Sequence, residues 1–222
     1  MGHINKMKFL VFDTETTGLP KSKYAKPEET YLFPYVVQLS WMVFDSGTNK
    51  IETIKDKIIR LPDNIRIPPK ATEIHGITQE KMLEEGEPIK RVLKSFMRDV
   101  SSCTYLVGHN IQFDERMVEV ECIRNECKRL SDFRKISFCT MLHGQNVCRI
   151  NKVNWFTGKM EYKYPKLIEL HKHLFNSTPI NLHNSLIDVI VCFRCFYKLS
   201  YDTDPMLTNP QFSRQCKQHC GL

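Results

Sequence analysis

After a short polar start, Phe9-Leu10-Val11-Phe12 forms a continuous apolar run, which predicts a buried strand over residues 8–13. Residues 36–44 and 50–60 predict two further strands, and Gly47-Thr48-Asn49 between them predicts a hairpin. Pro62, Pro68 and Pro69 mark a loop. Ile89, Val92, Leu93, Phe96, Met97 and Val100 then recur at helical spacing, which predicts an amphipathic helix with one apolar stripe. A short strand over residues 105–107 follows, and Phe113, Met117, Val120 and Cys127 place a helix after it. Residues 136–139 form a fifth candidate strand. The stretch 186–199 is apolar nearly all round, so a deeply packed helix is expected, interrupted by Asp188 and Arg194.

Three strands able to pair as an antiparallel meander are thus followed by helix, strand, helix, strand and helix. An α/β domain with a mixed five-stranded sheet flanked by helices follows. It is expected to occupy residues 1–201, with an irregular tail over 202–222. Residues 144–164 fit neither period and read as an excursion from the core.

With 222 residues the chain can build one domain with a real core, and its 41% apolar and 26% charged content are ordinary globular values, so disorder is not the default reading. No apolar run approaches the ~20 residues of a membrane span. The start Met1-Gly2-His3 has no secretory pattern, and Lys6 occupies the position where a myristoylated Gly2 needs Ser or Thr. Asn176-Ser177-Thr178 is then an incidental sequon. Nine scattered cysteines fit a reducing intracellular compartment, cytoplasmic or nuclear. Cys216, His219 and Cys220 are read as part of a mobile tail rather than a zinc site. The formal net charge of +7 suits a phosphate-rich partner.

Three short segments carry the candidate chemistry. In Phe12-Asp13-Thr14-Glu15-Thr16-Thr17-Gly18-Leu19-Pro20, two carboxylates stand two apart at a strand end, so both point to one face. Such a pair calls for a cation. In Gly108-His109-Asn110-Ile111-Gln112-Phe113-Asp114, Asp114 falls in a first helical turn and Asn110 suits the N-cap. In His183-Asn184-Ser185-Leu186-Ile187-Asp188, Asn184 is a further N-cap candidate and Asp188 sits among apolar neighbours. A carboxylate buried there needs a partner or a metal. Asp13, Glu15, Asp114 and Asp188 together carry four negative charges, which two divalent cations would neutralise. All-oxygen ligation selects Mg²⁺ or Mn²⁺ over zinc. A histidine nearby suits a general base.

These segments resemble the motifs of the DEDDh exonucleases of the RNase H-like superfamily, which include the DnaQ-like and three-prime repair exonucleases. Asp13 to Pro20 resembles the first motif, His109-Asn110 with Phe113-Asp114 the second, and His183 with Asp188 the third. Ala71-Thr72-Glu73-Ile74-His75-Gly76-Ile77-Thr78 resembles a segment of DnaQ-like members that contacts the terminal nucleotide. The likeness runs from about Lys8 to about Tyr201. It implies an RNase H-like fold and two-metal, 3′→5′ hydrolysis of nucleic acid that releases nucleoside 5′-monophosphates. Asp13 would bridge both ions, Glu15 and Asp188 would complete the first site, Asp114 would act through water, and His183 would be the base. Thr14, Thr16, Thr17, Gly18 and Leu19 would contact the 3′-terminal nucleotide, with His75, Gly76, Asn110 and Phe113 lining the same pocket. Ser185 stands where members often carry alanine.

The resemblance favours DNA, single-stranded or frayed, as substrate. The alternatives are an exoribonuclease using the same chemistry and a non-catalytic nucleic-acid-binding subunit. A polymerase or other protein partner and a homodimer both stay open, and no membrane partner is expected. Lys21, Lys23, Tyr24 and Lys26 are read as a single-strand grip or a solvated loop. Lys90, Arg91, Lys94 and Arg98 are expected on the wet face of their helix, and Cys192 and Cys195 in the core. Trp155-Phe156 is either an exposed stacking platform or core.

Overall fold

The computed structural model describes residues 7–222. Met1, Gly2, His3 and Lys6, on which the leader and lipid readings rest, lie outside the described residues. Strand β1 (Lys8–Thr16) pairs antiparallel with β2 (Val36–Asp45), which pairs antiparallel with β3 (Lys50–Arg60). Helices α1 (Pro69–His75) and α2 (Gln79–Glu85) follow, then the two-residue strand β4 (Glu87–Pro88), and α3 (Ile89–Ser102). Next come β5 (Tyr105–Gly108), α4 (Ile111–Arg124), β6 (Ile136–Cys139) and α5 (Thr140–Cys148). A small hairpin of β7 (Asn151–Val153) and β8 (Met160–Tyr162) precedes α6 (Leu167–Phe175) and α7 (Ser185–Tyr201). The chain closes on α8 (Pro205–Thr208), α9 (Pro210–Gln215) and a π-type turn over Cys216–Cys220.

The main sheet has the order β4-β3-β2-β1-β5-β6, with β5 parallel to both β1 and β6. The expected five strands are therefore six. The added one, β4, is too short to show any period, and Pro88 ends it because it has no N–H to donate.

Strand β1 lies inside the sheet and is covered on both faces, which is why its apolar run is continuous. Its side chains divide by parity. Leu10 and Phe12 pack into a core with α3 and α4, where the Phe12 and Phe96 rings lie 5.2 Å apart. Phe9 and Val11 pack against α7, with Phe9 and Phe196 at 4.9 Å.

Several expectations change. Pro62 and Pro68 lie in a loop as expected, but Pro69 opens a seven-residue helix, because proline at the start of a helix is a promoter: Pro68 is the N-cap of α1 and Pro69 its first residue, and α2 follows unannounced. Helix α4 ends at Arg124, so Cys127 lies beyond it. The excursion over 144–164 divides between the end of α5 and the β7–β8 hairpin.

The tail is helical rather than irregular. Asp204 and Asn209 cap its two helices, and Phe212, Cys216 and Cys220, spaced by four, are fully buried against α7. Its sparse apolar content hid that period. Arg194, an interruption in α7, is explained by the same docking: Nε and Nη2 donate to the two carboxylate oxygens of Asp204 at 3.0 and 2.6 Å, and Nη1 meets Nε2 of His171 at 3.0 Å. All nine cysteines are free, with Cys192 and Cys195 buried as expected. Lys90, Arg91, Lys94 and Arg98 are exposed. Among the described residues no helix is long and apolar enough to cross a membrane.

Candidate active site

The parity of β1 continues past its apolar run. Asp13 and Glu15 follow Phe9 and Val11 onto the α7 face, where Asp188 stands in the first turn of α7. Thr14 follows Leu10 and Phe12 onto the α4 face and meets Asp114. One carboxylate oxygen from each of Asp13, Glu15 and Asp188 lies within 4.8 Å of the others. Asp114 stands outside this group, its Oδ1 accepting from the Thr14 N–H at 3.0 Å and hydroxyl at 2.6 Å.

Local sequence sets each position. Asn184 caps α7, its Oδ1 accepting from the Leu186 N–H, so Asp188 falls just inside the helix. His183 precedes the cap in a left-handed conformation, φ +70°. Its N–H donates to Asp188 Oδ2 at 3.2 Å, and its side chain is exposed. Ser185 is buried and its hydroxyl donates to the Asp13 carbonyl at 2.7 Å, tying helix to strand. Gln38, opposite Glu15 on β2, accepts from the Ser185 N–H at 3.3 Å and donates to Asp56 at 2.7 Å. Asn110 occupies the N-cap of α4 but makes no side-chain cap bond, because its backbone turns left-handed at φ +67°.

The electrostatics are those of an unneutralised acidic cluster. Burial first, and then repulsion among the carboxylates, raises Glu15 to about 8 and holds Asp13 well above the usual range. Asp114 and Asp188 rise to about 7, again through burial; hydrogen bonds from Thr14 oppose the shift in Asp114, and the one from His183 opposes it in Asp188. Among the described residues no Lys or Arg forms an ion pair with any of the four. Three converging carboxylates with hard oxygen donors and no protein counter-charge fit a divalent cation.

Beside the cluster lies a cavity of about 500 Å³ lined by residues that include Thr14, Glu15, Thr16, Thr17, Gly18, Leu19, His75 and Phe113. Its loop is pinned. Thr17 and Tyr35 exchange bonds, N–H to carbonyl at 2.9 Å and Tyr35 N–H to the Thr17 hydroxyl at 3.0 Å. Thr16 Oγ1 donates to the Gly18 carbonyl at 2.6 Å. Leu19 is left 80% exposed at the rim. Buried His75 accepts the Ile77 N–H on Nδ1 at 3.0 Å, which puts its proton on Nε2. That nitrogen makes no well-formed hydrogen bond. Burial lowers the ring pKa, and a looser interaction with the Thr16 backbone only partly offsets it, so the ring stays neutral.

Gly76 and Asn110 are not among the lining residues. Gly76 caps α1 at φ +73°, a conformation that favours glycine, with its N–H bonded to the Thr72 carbonyl. His109 is a strut: Nδ1 meets Thr140 Oγ1 at 2.9 Å and Nε2 meets the Pro165 carbonyl at 3.0 Å, while burial lowers its pKa to about 4.

Sequence reasoning missed Gln38, and it missed Pro68 and Lys70 in the cavity wall; Ala71 and Ile74, also in that wall, belong to the segment over 71–78 that the resemblance set against the terminal nucleotide. Gln38 is visible only once the register of β1 and β2 is known. Lys70, one turn before Ile74 on α1, was legible had the Pro68-Pro69 pair been read as a helix start.

Solved structures share this fold. A chain of exonuclease I superposes with a TM-score of 0.67 at 20% identity, covering 91% of this chain and 42% of that one. Escherichia coli exonuclease I in complex with a dA16 oligonucleotide gives 0.63 at 18%, covering 91% and 42%. Exonuclease I of Methylocaldum szegediense gives 0.65 at 18%, covering 90% and 42%. The chain thus spans less than half the length of these proteins. The RNase T exonuclease family matches residues 10–196, from the first apolar strand through the helix that carries Asp188. On that match, which takes in all three acidic segments, the chain belongs to the RNase T family of exonucleases.

Proposed function

We propose that this chain is a divalent-metal-dependent exonuclease that removes nucleotides from the 3′ end of nucleic acid, with DNA favoured over RNA. The observation that carries the reading is the carboxylate trio Asp13, Glu15 and Asp188 opening beside the cavity lined by Thr14 to Leu19 and His75. Two Mg²⁺ or Mn²⁺ ions are assigned to the cluster, because four carboxylates carry the charge of two divalent cations. Asp13, Glu15 and Asp188 would hold them directly, and Asp114, engaged by Thr14, would act through water. When bound, such ions would activate water and stabilise the leaving oxygen.

The remaining work falls to the chain. The cavity receives the terminal nucleotide, with Leu19 at its rim and Phe113 in its wall. His75 offers a neutral N–H, and Lys70 offers a positive charge to a phosphate. His183 is assigned the general base; it is exposed and tied through its own backbone to Asp188. The DNA preference rests on likeness to E. coli exonuclease I, solved with a dA16 oligonucleotide.

The test is a 5′-labelled single-stranded DNA with Mg²⁺, with and without EDTA, beside a Glu15→Ala control and the matching RNA. A ladder shortening from the 3′ end, lost with EDTA and with the substitution, is expected. Faster loss of the RNA would move the assignment to an exoribonuclease. Survival of both, with Mn²⁺ as well, would leave a nucleic-acid-binding subunit.

A further inference from the structure

The β7–β8 hairpin takes no part in the chemistry proposed above. Its tip carries Trp155 and Phe156 at 94% and 100% exposure. Leaving two adjacent large rings in water runs against the packing of the rest of the molecule. Nor is the tip loose in its bonding. Asn154 Oδ1 accepts from the Phe156 N–H at 3.0 Å and the Thr157 N–H at 3.2 Å, and the Gly158 N–H returns to the Asn154 carbonyl at 2.8 Å.

Charge surrounds the rings. Arg149, Lys152 and Lys159 are exposed on the hairpin and its approach. The one acid there, Glu161, accepts from the Asn154 side chain at 3.2 Å. The base of the hairpin closes where the Lys163 N–H meets the Ile150 carbonyl at 2.9 Å. Two residues on, Pro165 is bonded to His109, which leads directly into Asn110, Phe113 and Asp114. The hairpin therefore rises from the same edge of the sheet as the acidic cluster. From Ile150 to Asn154 the chain runs extended for about 13 Å before the turn that carries the rings.

We propose that this hairpin is a stacking platform for the single-stranded part of the substrate upstream of its 3′ end, with Trp155 and Phe156 taking bases and Arg149, Lys152 and Lys159 taking phosphates. Aromatic faces beside lysines match a polyanion that carries flat apolar bases, and the catalytic edge is where such a strand must leave. The inference rests on the exonuclease reading for the direction of that strand, but its test does not need turnover.

The chain has two tryptophans; Trp41 is fully buried, so Trp155 supplies the solvent-exposed emission. The 222-residue protein in EDTA is titrated with oligo(dT) and, separately, oligo(U) of about 30 nucleotides. Saturable quenching is expected, and which oligomer quenches at lower concentration identifies the strand chemistry. With Mg²⁺, the Trp155→Ala/Phe156→Ala variant is expected to raise KM for the long oligomer about tenfold. Its kcat and its hydrolysis of a trinucleotide should stay at the wild-type level. Quenching without cleavage would keep the platform and sink the exonuclease reading. No quenching by either oligomer, or a wild-type KM in the variant, would overturn the platform. Emission that shifts with protein concentration alone would overturn it too, and would mark the hairpin as a contact between two copies of the chain.

Discussion

Thr14 donates twice to a single oxygen of Asp114, from its amide at 3.0 Å and from its hydroxyl at 2.6 Å, across 100 residues of sequence. The residue between the two clustered carboxylates of β1 thus holds the fourth carboxylate on the α4 side. Strand and helix are locked at the point where chemistry is proposed.

Replacing Thr14 by Val keeps the side-chain shape and deletes the hydroxyl. The loss of a bond to a buried carboxylate should cost about 1.5–3 kcal/mol. Urea unfolding in metal-free buffer measures it. An unchanged midpoint would mean that the hydroxyl does not hold Asp114.

The acidic cluster sets a sign for pH. The folded pKa values of Glu15, Asp114 and Asp188, at about 8, 7 and 7, lie above ordinary carboxylate values. Between about pH 4 and pH 8 the folded state therefore binds more protons than the unfolded chain, and metal-free stability falls as pH rises through that window. Melting in EDTA at pH 5 and at pH 8 should show the lower midpoint at pH 8. A saturating divalent metal should erase much of the difference, and a midpoint that rises with pH in EDTA would contradict the burial of these groups.

Asp188→Asn separates ligation from folding. It removes one repelling charge and keeps an oxygen to accept the His183 N–H. In EDTA at pH 8 the variant should melt above the wild type. Metal-induced stabilisation should shrink, and cleavage should fall at least about a hundredfold. A normal metal response with normal cleavage would remove Asp188 from the ligand set.

The docked tail gives a fourth test. Asp204→Ala strands Arg194, whose side chain is only 9% exposed, without its carboxylate. Removing one partner of a buried pair costs about 3–5 kcal/mol, read as a shift in the denaturant midpoint. A shift below about 1 kcal/mol would mean that His171 and the Phe175 ring, 4.0 Å from the guanidinium, suffice.

The site was legible in outline because its chemistry is local. Asp13 and Glu15 share a face by period two, and Asn184 marks where α7 begins, so three short segments announce themselves without any knowledge of their neighbours. The long-period elements were legible for the same reason: α3 and α7 each carry an apolar pattern over several turns. What stayed hidden depends on register or on very short elements. Gln38 reaches Ser185 only because β2 lies beside β1. The two-residue β4 and the seven-residue α1 and α2 are too brief to show a rhythm, and the tail shows only one apolar residue per turn. Asn110 was expected as a side-chain cap, and its left-handed backbone forbids that role.

The acidic trio joins a strand that begins at Lys8 to a helix that begins at Ser185. Contacts of such sequence separation form late in folding, since the intervening chain must first be ordered. On a ribosome, the first two carboxylates emerge long before the third, and the helix bearing the third is buried further by residues translated after it. A growing or prematurely ended chain therefore holds an incomplete acidic set, and the proposed metal site is assembled only once the helix that begins at Ser185 has packed against β1.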